Sequence, residues 1–360
     1  MNMKKIPGTL FLLFFTIAAF LFEMSGQVPA AHVEHMLVMR DTTLYVMEAN
    51  GANRRKIAEE ASTAALSPES DLVVYADPKG IKVFDLRTAK TSTLVNAPAQ
   101  DIRYVTWSPK QDAVAYSNVI PNKGVFLHLI TYPPSGPPRV LGPIYGGISF
   151  SKDGNFILHA STAGGRGALE KTDVESGKTE TLFSSKTLIE RVSYSSDDSQ
   201  IAFLLIDKAT DSEDDEPDCG PPSVSLWILP AHSKTPAKAS LKRLGDPDIN
   251  EFSWSPKDNL LVFDSGRLQC DFPGSEGDIY VVSPDMKTAF KLSKHALSIR
   301  PIFSPDGQTV LFSDFSVYDE SHGANLMIGD LRTRTVKPFP GQSPSGKSDS
   351  VDYDRIVDWK

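Results

Sequence analysis

A short motif recurs along this chain at spacings of roughly 40 to 60 residues: an aromatic residue, Ser-Pro, a polar turn and then a hydrophobic run. It reads WSPKQDAVAYS from Trp107, WSPKDNLLVFDS from Trp254 and FSPDGQTVLFSD from Phe303. Weaker copies are LSPESDLVVYAD from Leu66, FSKDGNFILHAS from Phe150 and YSSDDSQIAFLL from Tyr194. Self-similarity at this period describes an array of like supersecondary units, and for four-stranded units the array is a propeller. The fold class expected is therefore all-β, a single propeller of four-stranded blades.

Each copy carries one grammar. An apolar strand ends at the aromatic, as in Tyr104-Val105-Thr106-Trp107. Ser-Pro breaks it and a tight polar turn follows. The second strand, such as Leu260-Leu261-Val262-Phe263, is almost continuously apolar, which suits a strand covered on both faces between stacked blades. A variable loop leads to a third strand, such as Asp278-Ile279-Tyr280-Val281-Val282. A polar turn and a fourth strand, Ala289-Phe290-Lys291-Leu292, complete the unit. The third strand and its turn recur as IKVFDLRTAKTSTL from Ile81, LEKTDVESGKTETL from Leu169 and LMIGDLRTRTVKPF from Leu326.

First strands end at Leu66, Trp107, Phe150, Tyr194, Trp254 and Phe303, and Arg355-Ile356-Val357-Asp358-Trp359 has the look of a seventh. The rest of that blade is expected at the other end of the chain, in 35–40, 43–49 and 54–59. Seven blades follow, the last closed by pairing of N- and C-terminal strands, since closure removes two unpaired sheet edges. Six blades, with the N-terminal strands outside the ring, is the alternative.

The pattern resembles the TolB-like, WD40-like propeller repeat, marked by an aromatic-Ser-Pro-Asp-Gly turn and a later Ile-Tyr-Val-x-Asp. The resemblance spans nearly everything after the N-terminal segment. Phe303-Ser304-Pro305-Asp306-Gly307 matches it fully, whereas the copies at Phe150 and Tyr194 lack the proline. It implies a fold and leaves function open, because propellers serve as scaffolds, binding modules and enzymes alike. The α/β domain that precedes the propeller in TolB, and the hydrolase domain of prolyl-peptidase relatives, find no room in the sequence. A further resemblance is to the oligogalacturonate lyases, propellers with a His-rich metal centre. That cluster is not reproduced in sequence order.

The N-terminal segment reads as something other than fold. Met1 to Lys5 carries two lysines, 10–22 is an apolar run of about 13 residues, and Val28-Pro29-Ala30 supplies small residues for cleavage. Residues 1–30 are expected to be a secretory signal, or an uncleaved anchor, and 33–360 the propeller domain. A periplasmic or secreted location follows, with a membrane contact only if the segment is retained. Net charge is −8, against a nucleic-acid partner, and no basic stripe offsets it. Glycine (24) and proline (26) are abundant, as short strands and turns require.

The two cysteines, Cys219 and Cys270, fall in the loops between second and third strands of adjacent blades, which in a propeller share one face. In an oxidising compartment a disulfide is the natural reading. Closing a loop of about 50 residues contributes on the order of 4 kcal/mol by chain entropy.

Catalytic motifs are missing from the sequence: there is no Gly-x-Ser-x-Gly elbow, His-Glu-x-x-His, Walker A loop or dinucleotide fingerprint. Gly164-Gly165-Arg166-Gly167 reads as a turn. Asp246-Pro247-Asp248-Ile249-Asn250 begins like a calcium loop, but Glu251 and Lys257 stand where glycine and a bidentate Glu are needed, so a polar turn is preferred. His128 and His159 fall inside strands as packing residues, and His295 and His322 in loops. Neither a metal site nor a cofactor is expected.

The second-to-third-strand loops are longest toward the C-terminus, at 207–222, 265–277 and 315–323. Long loops on a rigid scaffold are where recognition sits. Acidic Asp214, Asp215, Asp319 and Glu320, aromatic Phe272, Phe315 and Tyr318, and Arg267 and His322 form the expected binding set. That mixture suits a protein or peptide partner of basic character. The function expected is a non-catalytic, monomeric binding or scaffolding propeller of the bacterial envelope or exterior. The alternative is a metal-dependent polysaccharide lyase or hydrolase, which a cluster of three or more His, Asp or Glu at the channel mouth would favour.

Overall fold

The repeat is organised by its serine. In the computed structural model, Ser67, Ser108, Ser151, Ser195, Ser255 and Ser304 are all buried. Each donates its backbone N–H to the carbonyl five residues on, from Ser67 N to Leu72 O (2.8 Å) through Ser304 N to Thr309 O (2.9 Å). The hydroxyl then closes the turn a second time. Oγ accepts from the N–H of Leu72, Phe156, Gln200 and Thr309, each at 3.0 Å. It donates to the carboxylates of Asp153 (2.6 Å), Asp197 (2.7 Å) and Asp306 (2.6 Å). The turns at Ser67 and Ser108 use Asp71 (3.0 Å) and Asp112 (2.7 Å) instead. The serine therefore satisfies the turn's polar groups, which is why the copies at Phe150 and Tyr194 keep their geometry without proline. The residue three positions past it adopts positive φ in five turns: Ser70, Gln111, Gly154, Asp198 and Gly307.

The structure describes residues 33–96, 102–163, 166–206, 224–231, 242–244, 248–266, 277–293, 298–315, 325–340 and 354–360. They fall in one compact unit, Val33–Lys360. Their strands form seven four-stranded antiparallel sheets and no helix. Blades 1 to 6 run in chain order, over 63–96, 105–143, 148–184, 189–244, 249–291 and 298–338. Blade 7 has its inner strand at the C-terminus, Asp354–Trp359, followed by His35–Arg40, Thr43–Glu48 and Arg55–Ala58. The seven inner strands touch in succession, and the last touches the first, so the ring is closed. The six-bladed alternative is thereby excluded.

Closure is held by both packing and polar contacts. His35 and Lys360 exchange backbone hydrogen bonds (2.7 and 3.0 Å). Trp359 is buried among Met36, Val38, Met47, Leu311, Leu326 and Phe339. Toward blade 1, the Asp358 carboxylate accepts from Leu66 N (2.8 Å) and Lys360 Nζ donates to Leu66 O (2.7 Å). Ser70 Oγ donates to Lys360 O (3.0 Å).

The core lies between blades. One cluster joins Val74, Ile81 and Val83 of blade 1 to Trp107, Val114 and Tyr116 of blade 2. The motif tryptophans also bridge: Trp107 Nε1 donates to Ala65 O and Trp254 Nε1 to Ser193 O, both at 3.3 Å on the preceding blade's inner strand. In these two blades the indole N–H is paired across the interface, which ties each tryptophan to the neighbouring blade.

Candidate binding face and central channel

The strand registers define the face. Ile249 pairs with Ser265 at one end of blade 5 and Trp254 with Leu261 at the other, so inner strands start on the face that carries the second-to-third-strand connections. In blades 7, 1, 2 and 3 these connections are only 41–42, 78–79, 121–123 and 164–165. In blades 4, 5 and 6 they lengthen to 207–223, 266–277 and 315–324. The elaborated blades are consecutive.

Of the expected binding residues, Asp214, Asp215, Arg267, Phe272, Tyr318, Asp319, Glu320 and His322 lie outside the described residues, as do Cys219, Cys270 and His295. Phe315 is described: it is 5% exposed and follows the buried Asp314 that ends the second strand of blade 6, so this structure does not present it as a surface anchor.

Three positions before the motif residue of each inner strand, toward the face of the long connections, stand Thr63, Tyr104, Gly147, Arg191, Glu251, Arg300 and Ile356, of which Tyr104, Gly147 and Arg191 line the central channel. The charged members belong to blades 4, 5 and 6, the same blades that carry long connections. Arg191 Nη2 donates to Glu251 Oε1 at 2.7 Å, and Arg300 Nε lies 3.8 Å from the same oxygen. Partly solvated pairs of this kind are each worth up to about 1 kcal/mol, so they contribute more to the placing of charge than to stability.

Bulges accompany the charged positions of blades 4 to 6. Register slips between Ile189 and Val192, Ile249 and Phe252, and Ile299 and Ile302. A bulge re-aims side chains and leaves ladder N–H groups to be satisfied elsewhere. In blade 5, Asp264 does so from the second strand. Its Oδ1 accepts from Asn250 N (3.0 Å) and Glu251 N (2.7 Å), and Oδ2 accepts from Arg300 N of the next blade (2.9 Å). Asp264 is wholly buried. Loss of water, aided by the like charge of Glu251, raises its pKa to about 6 despite the three N–H bonds that favour the carboxylate. Ser117 holds the corresponding register position in blade 2, where it accepts from Arg103 N and Tyr104 N, both at 3.1 Å.

The channel opens into a cavity of about 700 Å³, lined among others by Tyr104, Gly147, Phe150, Arg191, Tyr194, Phe252 and Trp254. Blades 3 and 4 meet closely at its edge. Gly147 N donates to Glu190 O at 2.6 Å, and a Cβ on Gly146 would lie 1.9 Å from that carbonyl. Glycine is the residue that permits this backbone approach.

Among the described residues no group of three or more His, Cys, Asp or Glu is arranged to hold a metal ion. His128 and His159 are buried within strands, as expected. His159 Nε2 lies 2.9 Å from Thr172 Oγ1, and burial lowers its pKa to about 4, so it is neutral at physiological pH. Asp248 turns the chain into blade 5 with φ of 79°. A Cβ on Gly167 would sit 2.4 Å from Thr187 O, so that glycine is set by backbone approach. The charged positions of blades 4 to 6 and Asp264 were not singled out from sequence. The available signal was a set of charges at one fixed offset from the motif aromatic, and a lone acid closing the apolar run LLVFD.

Neither a family model nor a curated protein matches this chain. Solved structures do. A putative TolB from Agrobacterium tumefaciens aligns with TM-score 0.52 at 13% identity, over 73% of this chain and 90% of that one. The fold is a TolB-like propeller. The tricorn protease aligns with TM-score 0.60 at 11% identity, over 89% of this chain and 34% of its own. An oligogalacturonate lyase in complex with manganese aligns with TM-score 0.57 at 14% identity, over 85% of each chain. These propellers include enzymes and a TolB, so the shared fold leaves the activity undecided. Among the described residues no helix is long and apolar enough to cross a membrane.

Proposed function

We propose that this chain is a non-catalytic, exported propeller that binds a protein or peptide partner on the face over blades 4 to 6. One observation carries the reading: the long connections 207–223, 266–277 and 315–324 and the Arg191–Glu251–Arg300 cluster fall in the same three consecutive blades. Four blades close the same face with short turns, so the added chain is surplus to the fold. Recognition concentrates on such elaborations of a rigid scaffold. The acids of 211–218 and the aromatics Phe272 and Tyr318 would supply charge and apolar anchors to a partner of basic character. Residues 1–30 would direct the chain to the periplasm or exterior, where Cys219 and Cys270 would pair. A monomer without a cofactor suffices for this role.

The test is affinity capture from an envelope fraction with three proteins: wild type, Asp214→Lys/Asp215→Lys, and Lys110→Glu in a turn on the opposite face. A partner lost with the double variant and retained with Lys110→Glu supports the reading. A partner retained by both variants at full strength removes it. Stoichiometric metal in the purified mature protein, with turnover of an acidic polysaccharide, would establish the lyase alternative instead.

A further inference from the structure

The central channel has chemistry of its own, separate from the outer loops. On the side of blades 2 to 4 its mouth has a gap. Gly147 offers no side chain between Tyr104 on blade 2 and Arg191 on blade 4. All three line the cavity of about 700 Å³, a size within the ordinary range for small-molecule sites.

Arg191 is 45% exposed on the side chain, and the Glu251 carboxylate engages it through one nitrogen. A guanidinium has five N–H donors in a planar fork, so this bond leaves capacity for a second, planar oxyanion. Burial raises the Tyr104 phenol above its usual pKa, so its O–H remains a donor at neutral pH. Below these two groups the wall is aromatic, with Phe150, Tyr194, Phe252 and Trp254. At the far end Asp358 and Lys360 bind the backbone of Leu66, Asp198 accepts from Lys152 N at 2.7 Å, and the Lys152 side chain is exposed. At the mouth the cationic group is Arg191, held by a partly solvated carboxylate.

We propose that the channel is a pocket for a small organic carboxylate, which seats its acid group on Arg191 and Tyr104 at the Gly147 gap and its apolar body against the aromatic wall. Glu251 positions the guanidinium and sets the limit on affinity, because the ligand's carboxylate shares Arg191 with it. Charge-assisted bonds of this kind are the strong ones, and an amide of the same shape cannot replace them. The pocket shares Arg191 and Glu251 with the cluster that supports the partner-binding reading, but its groups lie on inner strands and none is in the long connections.

The experiment is isothermal titration of the mature protein with 4-phenylbutyrate and, separately, with 4-phenylbutanamide. The acid is expected to bind, and the amide to bind at least about tenfold more weakly, in keeping with loss of a charge-assisted pair. Arg191→Gln is expected to weaken the acid by about tenfold or more and leave the amide unchanged. Should that variant fail to fold, Tyr104→Phe keeps the ring and removes the donor, and a several-fold loss for the acid alone is expected. The proposal is overturned if the acid shows no binding up to millimolar concentration, if acid and amide bind alike, or if a folded Arg191→Gln or Tyr104→Phe variant binds the acid at full strength. Retained carboxylate binding alongside lost partner capture, or the reverse, separates the two sites.

Discussion

Asp264→Ser should invert its effect on stability with pH. Asp264 is wholly buried with a folded pKa raised to about 6 from 3.8. The native chain therefore holds this proton more tightly than the unfolded chain does. The stabilisation is fully present below pH 3.8 and is lost as pH rises through about 6. A shift of roughly two units at 1.36 kcal/mol each makes that loss about 3 kcal/mol. Serine carries no such term. It can still serve the bulge, as Ser117 does for Arg103 N and Tyr104 N in blade 2, but it does not reach two blades at once. The Arg300 N–H, now bonded at 2.9 Å, would lose its acceptor, at a cost of about 1–3 kcal/mol.

Asp264→Ser should accordingly be about 2 kcal/mol less stable than wild type near pH 4, and equal or slightly more stable near pH 7. Urea unfolding of both proteins at several values between pH 3.5 and 7.5 reads this directly. Subtracting the two stability curves cancels the titrating groups that do not interact with Asp264; Glu251, whose charge acts on it, is outside that cancellation. A difference that stays flat across the range would refute the raised pKa, and one that grows with pH would mean the three N–H bonds outweigh burial.

Removing 352–360 takes away the inner strand of blade 7 and should lower the stability of the whole ring; an unchanged unfolding midpoint and cooperativity would contradict closure by terminal pairing. Within that strand, Trp359→Ala should cost about 3–5 kcal/mol, measured by urea unfolding, because the indole is buried in the seam between blades 6 and 7. Ser304→Ala should cost about 1–3 kcal/mol by removing the hydroxyl that accepts from Thr309 N and by taking one of two donors from Asp306, which keeps Gln308 N, whereas Pro305→Ala should cost less than half as much, and the reverse order would undo the account of the motif. Cys219 and Cys270 should resist alkylation without reductant in exported protein, and two labelled thiols by mass spectrometry would remove the disulfide.

How much of this was legible in the sequence depends on what kind of force fixes each feature. Blade number and order could be read because they rest on local chemistry that repeats. An apolar strand, a buried serine and a left-handed turn residue recur, and even Leu66 in the aromatic slot gives the same inner strand. The terminal closure was legible for the same reason: Arg355 to Trp359 looks like an inner strand lacking three partners, and the N-terminus supplies three strands lacking a first. In the terminal blade the boundaries moved at Ala49, Arg54, Glu59 and Asp354, where strand ends give way to turns and edges.

The charged positions of blades 4 to 6 were not legible strand by strand, because they are about 50 residues apart in sequence and become neighbours only when the blades stack. Each looks like an isolated polar residue at the start of a strand. Asp264 is harder still. Its role depends on bulges in two blades that present N–H groups to one buried carboxylate, and a bulge leaves little trace in residue type. Phe315 shows the converse: an aromatic beside a long loop reads as a binding anchor, yet its side chain is buried. The lesson for propellers is specific. Loop length points to the sector that recognition uses, and charge enters that sector at one inner-strand position. In this chain that position turns from apolar or neutral in blades 1 to 3 and 7 to charged in blades 4 to 6, in step with the loops, and this coincidence is what joins fold to proposed function.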